Sequence, residues 1–548
     1  MVRQAVAESD FADRSMLCTP ESHSHTWRAW KPDPQGVRAA TLALLSGLLY
    51  WLSSQTFPFG PGVWICLVPL GLGLSGASPR SGFAAGLIYG YCFWFSGVWW
   101  LKTQLITQAG LAPVLAWSCI LLFCLFHAVP YALFGWLAAR LRWMERLSGA
   151  LCAAAALVVL KSWYPSLFPG TEAHNLYRWP LLIQPLDLGG VPLLLFLIFL
   201  VNFLVVQGLC AWRRGASPAP AGAAIIILFI LLVSYGRYRL TQLHRQMQTA
   251  GDGQRISLLA VQANIPVKDT VHDVPPEESG NTMKTTLVDV RQALQLYPQA
   301  ELVVFPELPI SYVCQGEASF YLPPLVRATG RAMLVPCTGI AIDSGSMRFF
   351  NSVSFTDVRG IQAEEYRKQL LVPFGEYLPL ERQVPALRRL FPGVSRFSAG
   401  SRPVLFDLTP GKRLIPSICF EAIISSLVRR SVEQGGNIVV NMVNDAWFGA
   451  SKASWVHLSV ALYRTVEYRI PMVRVANSGI SAFIQPTGEI VPGSLTPLFR
   501  KTVRCHSLFI PAERSPYSRW GDIFLALLTV CSVTVTGWQL YRNPQSRQ

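Results

Sequence analysis

The chain has 548 residues, of which 51% are hydrophobic and 14% are charged, and its formal net charge is +16. A mean hydropathy of +0.34 is too apolar for an ordinary soluble protein, and the length allows a membrane domain followed by one soluble domain. The sequence contains no zinc-type Cys/His spacing, Walker loop or dinucleotide-binding glycine pattern. We therefore expect no nucleic-acid partner, no metal and no cofactor, and we attribute the arginines to membrane orientation.

The first half of the chain has the pattern of a membrane domain. Residues 1–38 are polar and basic and lack the short apolar core of a removed signal peptide, which predicts a cytoplasmic N-terminal segment. Apolar runs then follow one another over residues 39–236, several close to the ~20 residues that a spanning helix needs. They predict about seven transmembrane helices. The predicted spans are 39–56, 60–77, 82–101, 112–138, 148–164, 191–212 and 221–236, with a further one at 522–540.

Basic residues in the loops predict the orientation of these spans. If the N-terminus is cytoplasmic, six arginines lie in inside loops: Arg80, Arg140, Arg142, Arg146, Arg213 and Arg214. Three basic residues then lie in outside loops: Lys102, Lys161 and Arg178. This excess agrees with the positive-inside rule. An odd number of spans before residue 236 then places the following segment on the outer side of the membrane.

Segment 250–510 alternates strand-like and helical runs, joined by stretches rich in proline and glycine, which favours a layered α/β domain. Residues 283–296 have a helical pattern. The strand-like runs are 256–261, 302–305, 332–335, 352–355, 414–419 and 437–443. The cysteines of this segment are irregularly spaced, so we expect no disulfide framework. They are Cys314, Cys337, Cys419 and Cys505.

Two charged residues of this segment stand beside apolar runs. Glu307 comes after the run 302–305 and stands between two prolines. It either caps the next element or, when partly desolvated, has a raised pKa that suits a general base near neutrality. Lys368 leads into an apolar run that ends at Pro373, with Glu376 eight positions on. It is either an exposed lysine or a fixed cation that stabilises a thiolate or a developing oxyanion.

Cys419 ends a strand-like run and precedes a helical pattern. Most cysteines in apolar surroundings are small buried hydrophobic residues. At the start of a helix, however, unpaired backbone N–H groups and the helix dipole favour the thiolate over the thiol. The position therefore makes Cys419 a candidate nucleophile.

Glu307, Lys368 and Cys419, in this order and each at the end of an apolar strand, resemble the Glu-Lys-Cys triad of the nitrilase superfamily. Five short motifs are similar to those of the bacterial apolipoprotein N-acyltransferase family. They are Gln-Ala-Asn-Ile-Pro at 262–266, Leu-Val-Pro-Phe-Gly-Glu at 371–376, Ile-Cys-Phe-Glu at 418–421, Asn-Asp-Ala-Trp-Phe-Gly at 444–449 and Arg-Val-Ala-Asn-Ser-Gly at 474–479.

The resemblance implies a multi-span α-helical membrane domain and an extracytoplasmic α/β nitrilase-like αββα sandwich, the carbon-nitrogen hydrolase domain, at 250–510. It places the protein in the bacterial inner membrane with the catalytic domain in the periplasm, as a monomer. The implied activity moves a fatty acyl chain from a membrane phospholipid to the N-terminal amino group of a diacylated apolipoprotein, through a cysteine thioester. In this scheme Glu307 is the base, Cys419 the nucleophile and Lys368 the oxyanion partner.

The family motifs also imply supporting roles. By position, Glu376 and Glu421 would support Lys368 and the substrate groups, whereas Asn444 and Trp447 would shape the mouth of the pocket. Phe420 stands where many family members have a tyrosine, so no role can depend on that hydroxyl.

The family's gating tryptophan has no counterpart, since residues 267–271 contain no aromatic side chain. The loop 320–322, Phe-Tyr-Leu, is either the replacement through which phospholipid enters or a packed surface turn.

Two other functions fit parts of the sequence. A membrane-anchored amidase or nitrilase that hydrolyses a small amide or nitrile would share the triad, but it would need one span rather than seven. A transporter or receptor would make the triad accidental and would need ionisable residues within the spans, where they are almost absent.

Overall fold

The computed structural model describes residues 33–54, 59–107, 109–265, 288–307, 314, 317–343 and 345–542. The first half of this part of the chain is helical. Its helices are Pro34–Leu52, Val68–Leu74, Pro79–Val98, Leu101–Thr107, Pro113–Arg140, Leu147–Trp163, Pro180–Ile183, Leu186–Arg213 and Ala219–Thr249, with short 3-10 helices at Gly60–Trp64, Trp143–Glu145 and Glu172–Leu176. Most of the predicted segment 1–38 lies outside the described residues.

Four of the described helices are long and apolar enough to cross a membrane. They are Pro113–Arg140, Leu186–Arg213, Ala219–Thr249 and Ile523–Arg542. The count of seven spans before residue 236 stays a prediction. The helix that begins at Ala219 continues to Thr249, well past the predicted end at 236, and its 31 residues give a length of about 46 Å. It therefore connects the apolar helices directly to the following α/β domain.

Small residues allow the helices Pro79–Val98 and Pro113–Arg140 to touch along their backbones. A Cβ atom on Gly86 would lie 2.0 Å from the Tyr131 carbonyl oxygen, and one on Gly135 would lie 2.1 Å from the Gly82 carbonyl oxygen. Close approach through glycine is the usual way in which apolar helices pack in a membrane. The helix Pro79–Val98 also lines the cavity described below, through Phe93, Trp94 and Val98.

Lys161, assigned above to an outside loop, lies inside the helix Leu147–Trp163. Its Nζ donates a hydrogen bond of 2.6 Å to Glu172, whose side chain is fully buried. Lys161 is therefore an ionisable residue within the predicted span 148–164, where such residues are almost absent, and it is paired. The orientation of the spans stays a prediction.

The α/β domain consists of two sheets. The strands are β1 Arg255–Gln262, β2 Leu302–Val304, β3 Ala332–Asp343, β4 Ser346–Thr356, β5 Tyr366–Arg367, β6 Phe406–Thr409, β7 Lys412–Ile418, β8 Ile438–Val443, β9 Met472–Ala476, β10 Ala482–Ile484 and β11 Thr502–Phe509. One sheet has the order β11-β1-β2-β3-β4-β5 and the other β10-β9-β8-β7-β6. Each predicted strand-like run overlaps one of these strands.

The side chains of the first sheet alternate between two cores, as the period of two along a strand requires. Leu258 and Val304 belong to the core shared with the second sheet, whereas Leu259 and Val303 belong to a separate core with helical residues. Those helices are 288–296, which overlaps the predicted helix, and Glu317–Thr329. On the outer side of the second sheet lie further helices: Ser425–Glu433 and Ala453–Tyr468. The layers are therefore helix, sheet, sheet and helix.

The two parts of the chain are joined by a buried ionic contact. Arg469, which is 2% exposed, donates to Asp187 at 2.6 Å, and Arg239 donates to the same carboxylate at 2.8 Å. Gln184 also donates to the carbonyl oxygen of Thr487. Because an unpaired buried charge is costly, these contacts hold the α/β domain in one position on the apolar helices.

Cys314 and Cys337 form a disulfide, with their Cα atoms 5.2 Å apart. The expectation of no disulfide is wrong for this pair. The backbone N–H of Cys314 donates to the carbonyl oxygen of Thr338, so the chain after β2 returns beside β3 and brings the two cysteines together. Spacing along the sequence does not show this contact. Cys419 and Cys505 are free.

Candidate active site

Three strands end at one edge of the domain and bring together the three residues of the sequence-predicted triad. Lys368 directly follows β5, Cys419 directly follows β7, and Glu307 lies three residues after β2. All three side chains are at most 9% exposed and line one cavity. Residues that are distant in sequence thus meet because their strands end at the same edge.

Glu307 accepts hydrogen bonds on both carboxylate oxygens. Oε1 accepts from the side-chain amide of Asn351 at 2.9 Å and lies 3.5 Å from Lys368 Nζ, and Oε2 accepts from the backbone N–H of Asn444 at 3.0 Å. Burial raises the pKa of this carboxyl, although the positive charge of Lys368 opposes the shift. The Glu307 carboxylate also interacts electrostatically with the Cys419 thiol, and both side chains line the same cavity. This position suits a proton acceptor for the thiol.

Lys368 is a buried cation between two carboxylates. Its Nζ donates to Glu376 at 2.8 Å and to Glu307 at 3.5 Å. Burial opposes the charged form, but the carboxylates of Glu376 and Glu307 outweigh burial and raise the pKa of Lys368. The lysine therefore stays protonated at neutral pH and supplies a fixed positive charge beside Cys419.

Asn351, on β4, completes this group, and nothing in the sequence singles it out. Its side-chain amide nitrogen donates to Glu307 at 2.9 Å and to Glu376 at 2.8 Å, and its backbone carbonyl oxygen accepts from the backbone N–H of Lys368. One side chain therefore sets the separation of two carboxylates of like charge. Asn351 lies within a strand, and only the pairing of β4 with β5 brings it to the site.

Cys419 opens the 3-10 helix Cys419–Ile423 with a φ of +54°. A left-handed conformation is uncommon for a residue other than glycine, and such strain is concentrated at functional sites. Burial and the nearby Glu307 raise the pKa of the Cys419 thiol, while Lys368 lowers it. The expectation that the helix start favours a resting thiolate is therefore wrong, because the helix is only five residues long and the site is desolvated. The resting group is a thiol whose acceptor, Glu307, is in place.

Glu421 is 2% exposed and connects two segments of the site. Oε2 accepts from the backbone N–H of Ile418 and from the Tyr366 hydroxyl, both at 2.8 Å, and Oε1 accepts from the backbone N–H of Gln369 at 2.7 Å. The carboxylate thus joins the chain just before Cys419 to the chain around Lys368. Its hydrogen bonds come from backbone N–H groups and the Tyr366 hydroxyl rather than from the Lys368 ammonium.

The remaining predicted residues lie around the same cavity. Phe420 and Trp447 both line this cavity. The ring centroids of Phe420 and Phe168 are 6.5 Å apart. Asn444 is fully buried, does not line the cavity, and donates its backbone N–H to Glu307.

The sequence connects two segments, 267–271 and 320–322, with the entry of phospholipid. Residues 267–271, which lack the gating tryptophan, lie outside the part of the chain that the structure describes. The stretch 320–322 is helical rather than a loop, and Leu322 is fully buried in the core. Leu322 therefore does not reach a phospholipid.

The cavity has a volume of about 910 Å³ and lies between the apolar helices and the α/β domain. The helical part contributes Trp94, Trp100, Leu101 and Phe168, and the α/β part contributes Val372, Phe374, Ile423, Phe448 and Val460. Trp100 and Phe448 meet edge to face, with centroids 4.7 Å apart. A mostly apolar chamber with the charged groups at one point suits a long apolar substrate.

Both parts of the chain match known families. Residues 46–204 match the apolipoprotein N-acyltransferase N-terminal domain, and residues 260–504 match the carbon-nitrogen hydrolase domain. The chain belongs to the apolipoprotein N-acyltransferase family. The family and the fold class predicted from the sequence, apolar helices with a nitrilase-like α/β domain, are confirmed.

Curated relatives cover nearly the whole chain. The apolipoprotein N-acyltransferase of Geobacter metallireducens is 29% identical over 491 residues, which span 88% of this chain and 92% of that protein. The one from Azotobacter vinelandii is 29% identical over 520 residues, 92% of this chain and 95% of that protein. Among solved structures, Saccharomyces cerevisiae Nit3 aligns with 50% of this chain and 97% of its own, at 14% identity and a TM-score of 0.36.

Membership of the apolipoprotein N-acyltransferase family supports an acyltransferase of the inner membrane that N-acylates lipoproteins. The charged groups of the site form hydrogen bonds with each other and with the backbone. Among the described residues, no group of three or more His, Cys, Asp or Glu side chains is arranged to hold a metal ion.

Replacing Lys368 by arginine should lower acyl transfer by about 10²-fold or more, the usual cost of losing an oxyanion donor. The Lys368 side chain is only 1% exposed, so the site has no room for a larger group. The planar guanidinium of arginine is larger than an ammonium and cannot keep the 2.8 Å contact with Glu376. Steady-state turnover of the purified variant measures this. Lys501→Arg, at a half-exposed lysine of the same domain, is the control. Near-normal turnover of Lys368→Arg would exclude a fitted role for the ammonium.

Proposed function

We propose that this chain transfers a fatty acyl chain from a membrane phospholipid to the N-terminal amine of a diacylated apolipoprotein, through a thioester on Cys419. The observation that carries the proposal is the position of the Glu307, Lys368 and Cys419 side chains on an apolar cavity walled partly by the membrane helices. A phospholipid acyl chain can occupy such a chamber without leaving an apolar environment.

In the first half-reaction, Glu307 takes the proton of the Cys419 thiol as the sulfur attacks the ester carbonyl carbon of the phospholipid. Lys368 stabilises the oxyanion of the tetrahedral intermediate. The C–O ester bond then breaks, and the lysophospholipid alkoxide leaves with the proton from Glu307. The product is an acyl thioester on Cys419 and an ionised Glu307.

In the second half-reaction, the free amine of the lipoprotein attacks the thioester carbonyl. Glu307 accepts a proton from the attacking nitrogen, and the C–S bond breaks as the amide forms. The proton returns to sulfur and restores the Cys419 thiol. Two acyl transfers of moderate difficulty replace one difficult transfer from ester to amine, and the kinetics are ping-pong.

The positions of Glu376 and Glu421 suggest a division of labour in this mechanism. Glu376 holds the Lys368 ammonium at 2.8 Å, and Glu421 holds the backbone just before Cys419 and just after Lys368. Neither carboxylate needs to contact substrate. We therefore assign both as positioning residues of a monomeric enzyme.

The test is a reconstitution in vesicles that contain phospholipid with an isotope-labelled acyl chain and a diacylated lipopeptide with a free N-terminal amine. Mass spectrometry should find the labelled acyl group on the lipopeptide amine and an equal amount of lysophospholipid. The Cys419→Ala variant should give neither product. Labelled free fatty acid as the main product would favour the amidase-like alternative, in which water attacks the thioester. No transfer to the amine would overturn the proposal.

We also propose that the catalytic domain faces the periplasm. The positive-inside rule and the disulfide between Cys314 and Cys337 support this orientation, because disulfides persist in oxidising compartments. In intact cells whose outer membrane has been permeabilised, an impermeant maleimide should label Arg402→Cys above the background of the wild-type chain. It should not label Ala216→Cys, in the loop between Leu186–Arg213 and Ala219–Thr249, until the inner membrane is broken. The reverse pattern would contradict the orientation.

A further inference from the structure

The backbone carbonyl of Cys419 is held by two side chains that are not members of the triad. The carbonyl oxygen of Cys419 accepts from Asn441 Nδ2 at 2.9 Å, and His457 Nε2 lies 3.3 Å from it. Asn441 is on β8, and His457 is on the helix Ala453–Tyr468. A carbonyl oxygen only accepts, so His457 carries a proton on Nε2 whenever this bond is made.

One buried arginine lies close to both donors. Arg474, which is fully buried on β9, donates to the side-chain oxygen of Asn441 at 3.0 Å and to Asp445 at 2.7 Å. The second oxygen of Asp445 lies 3.2 Å from His457 Nδ1. A chain of hydrogen bonds therefore runs from the Arg474 guanidinium through Asn441 to this carbonyl, and His457 is a second donor packed beside the Arg474–Asp445 pair.

Asp445 is a buried carboxylate that the charge of Arg474 keeps ionised. Burial alone would raise the pKa of Asp445, but Arg474 and His457 outweigh it, and the carboxyl stays ionised well below neutral pH. A buried arginine and aspartate need each other, since either alone would be an uncompensated charge. Burial and the charge of Arg474 lower the pKa of His457, which favours the neutral ring with a single N–H. With that proton on Nε2, the ring donates to the Cys419 carbonyl, and Nδ1 lies beside Asp445 without donating to it.

The consequence of holding this carbonyl follows from the geometry of a peptide bond. In a planar trans peptide, the C=O and N–H groups point in opposite directions. Fixing the Cys419 carbonyl thus fixes the direction of the Phe420 N–H. Phe420 is the second residue of its helix, where N–H groups have no acceptor within the helix. The φ of +54° at Cys419 is an uncommon conformation that needs such support.

We propose that His457 is a positioning residue that, through the Cys419 carbonyl, aims the Phe420 N–H at the oxyanion opposite Lys368. The inference rests on the proposed acyl transfer through Cys419. It assigns to His457 no proton transfer with substrate. Its effect is confined to steps in which a tetrahedral oxyanion forms.

Two substitutions separate the contacts of His457. Glutamine places an amide nitrogen near the position of Nε2 and keeps a donor to the Cys419 carbonyl. Asparagine places its amide near Nδ1 and keeps a partner for Asp445, but it is too short to reach the carbonyl. The two variants remove the same ring and similar volume, so they are matched controls for each other.

The experiment compares two reactions of Cys419 in the full-length protein. Acylation by p-nitrophenyl palmitate passes through an oxyanion, whereas alkylation by iodoacetamide does not. We expect His457→Asn to slow acylation by about 10²-fold, the usual cost of a lost or misaligned oxyanion donor, with alkylation within threefold of wild type. His457→Gln should acylate within tenfold of wild type.

Other outcomes overturn the inference. Acylation of His457→Asn at the wild-type rate would show that the carbonyl contact is not needed. Equal losses of acylation and alkylation in both variants would show that His457 only maintains the fold. Because the acyl donor is an activated ester, these results do not depend on phospholipid. If wild type reacts with the ester but not with phospholipid in vesicles, the proposed function fails while this inference stands.

Discussion

Replacing Cys419 by serine is expected to reduce acyl transfer by 10⁴- to 10⁶-fold, on the order of the loss seen when an enzyme nucleophile is removed. A hydroxyl has a pKa far above that of a thiol, and a carboxylate such as Glu307 cannot activate it. The change removes no large volume, so the fold should persist. Transfer from labelled phospholipid to lipopeptide in vesicles measures the effect.

Cys505→Ser provides the matched control, since Cys505 is a free, half-buried cysteine on β11 of the same domain. It should keep wild-type activity. Activity of Cys419→Ser within tenfold of wild type, or loss of activity in Cys505→Ser alone, would show that Cys419 is not the nucleophile.

Replacing Glu307 by glutamine is expected to lower turnover by about 10²- to 10⁴-fold, the range for losing a general base. Glutamine is nearly isosteric and keeps a side-chain oxygen that can accept hydrogen bonds, but it cannot take the thiol proton. Exposed Glu433→Gln, at a carboxylate that pairs only with Arg429 among the described residues, is the control and should have wild-type turnover. Turnover of Glu307→Gln within threefold of wild type would contradict the assigned role.

The pH dependence of Cys419 alkylation is a second test of Glu307 as the acceptor of the thiol proton. Burial raises the pKa of Glu307, so below that pKa the carboxyl is protonated and cannot accept the thiol proton. In wild type, the alkylation rate should therefore rise with pH through a value above the usual carboxyl range. In Glu307→Gln, the rise should move to the more alkaline range set by the raised pKa of the thiol itself. An unchanged profile would exclude Glu307 as the acceptor.

The sequence marks Glu307 and Cys419 because each stands where an apolar run ends. Lys368 instead leads into an apolar run, and its place in the site follows from the resemblance to the Glu-Lys-Cys triad. The family motifs then added Glu376 and Glu421, which the structure also brings into the site. The layered α/β class followed from the alternation of strand and helix patterns.

Other residues depend on contacts between distant segments and carry no local signal. Asn351 lies within β4 and reaches the carboxylates only because β4 pairs with β5. His457 stands in the middle of a helix whose pattern is that of an ordinary core helix. Cys314 and Cys337 meet because the chain after β2 returns beside β3.

The charge state of Cys419 shows a different limit of sequence reasoning. A cysteine at a strand-to-helix turn suggests a thiolate, and the position of the turn is as expected. The length of the helix and the burial of the site decide the balance, and neither can be read from the motif. Desolvation and the adjacent Glu307 favour the thiol, so the base must act during attack.

The central claim is that an acyl group resides on Cys419 between the two half-reactions. The direct measurement incubates the enzyme with labelled phospholipid and no lipoprotein, followed by rapid digestion and mass spectrometry. The account predicts one acyl group on the peptide that contains Cys419, released by neutral hydroxylamine and absent from Cys419→Ala and Glu307→Gln. An acyl group on Cys505 instead, or no adduct while transfer to lipoprotein proceeds normally, would contradict it.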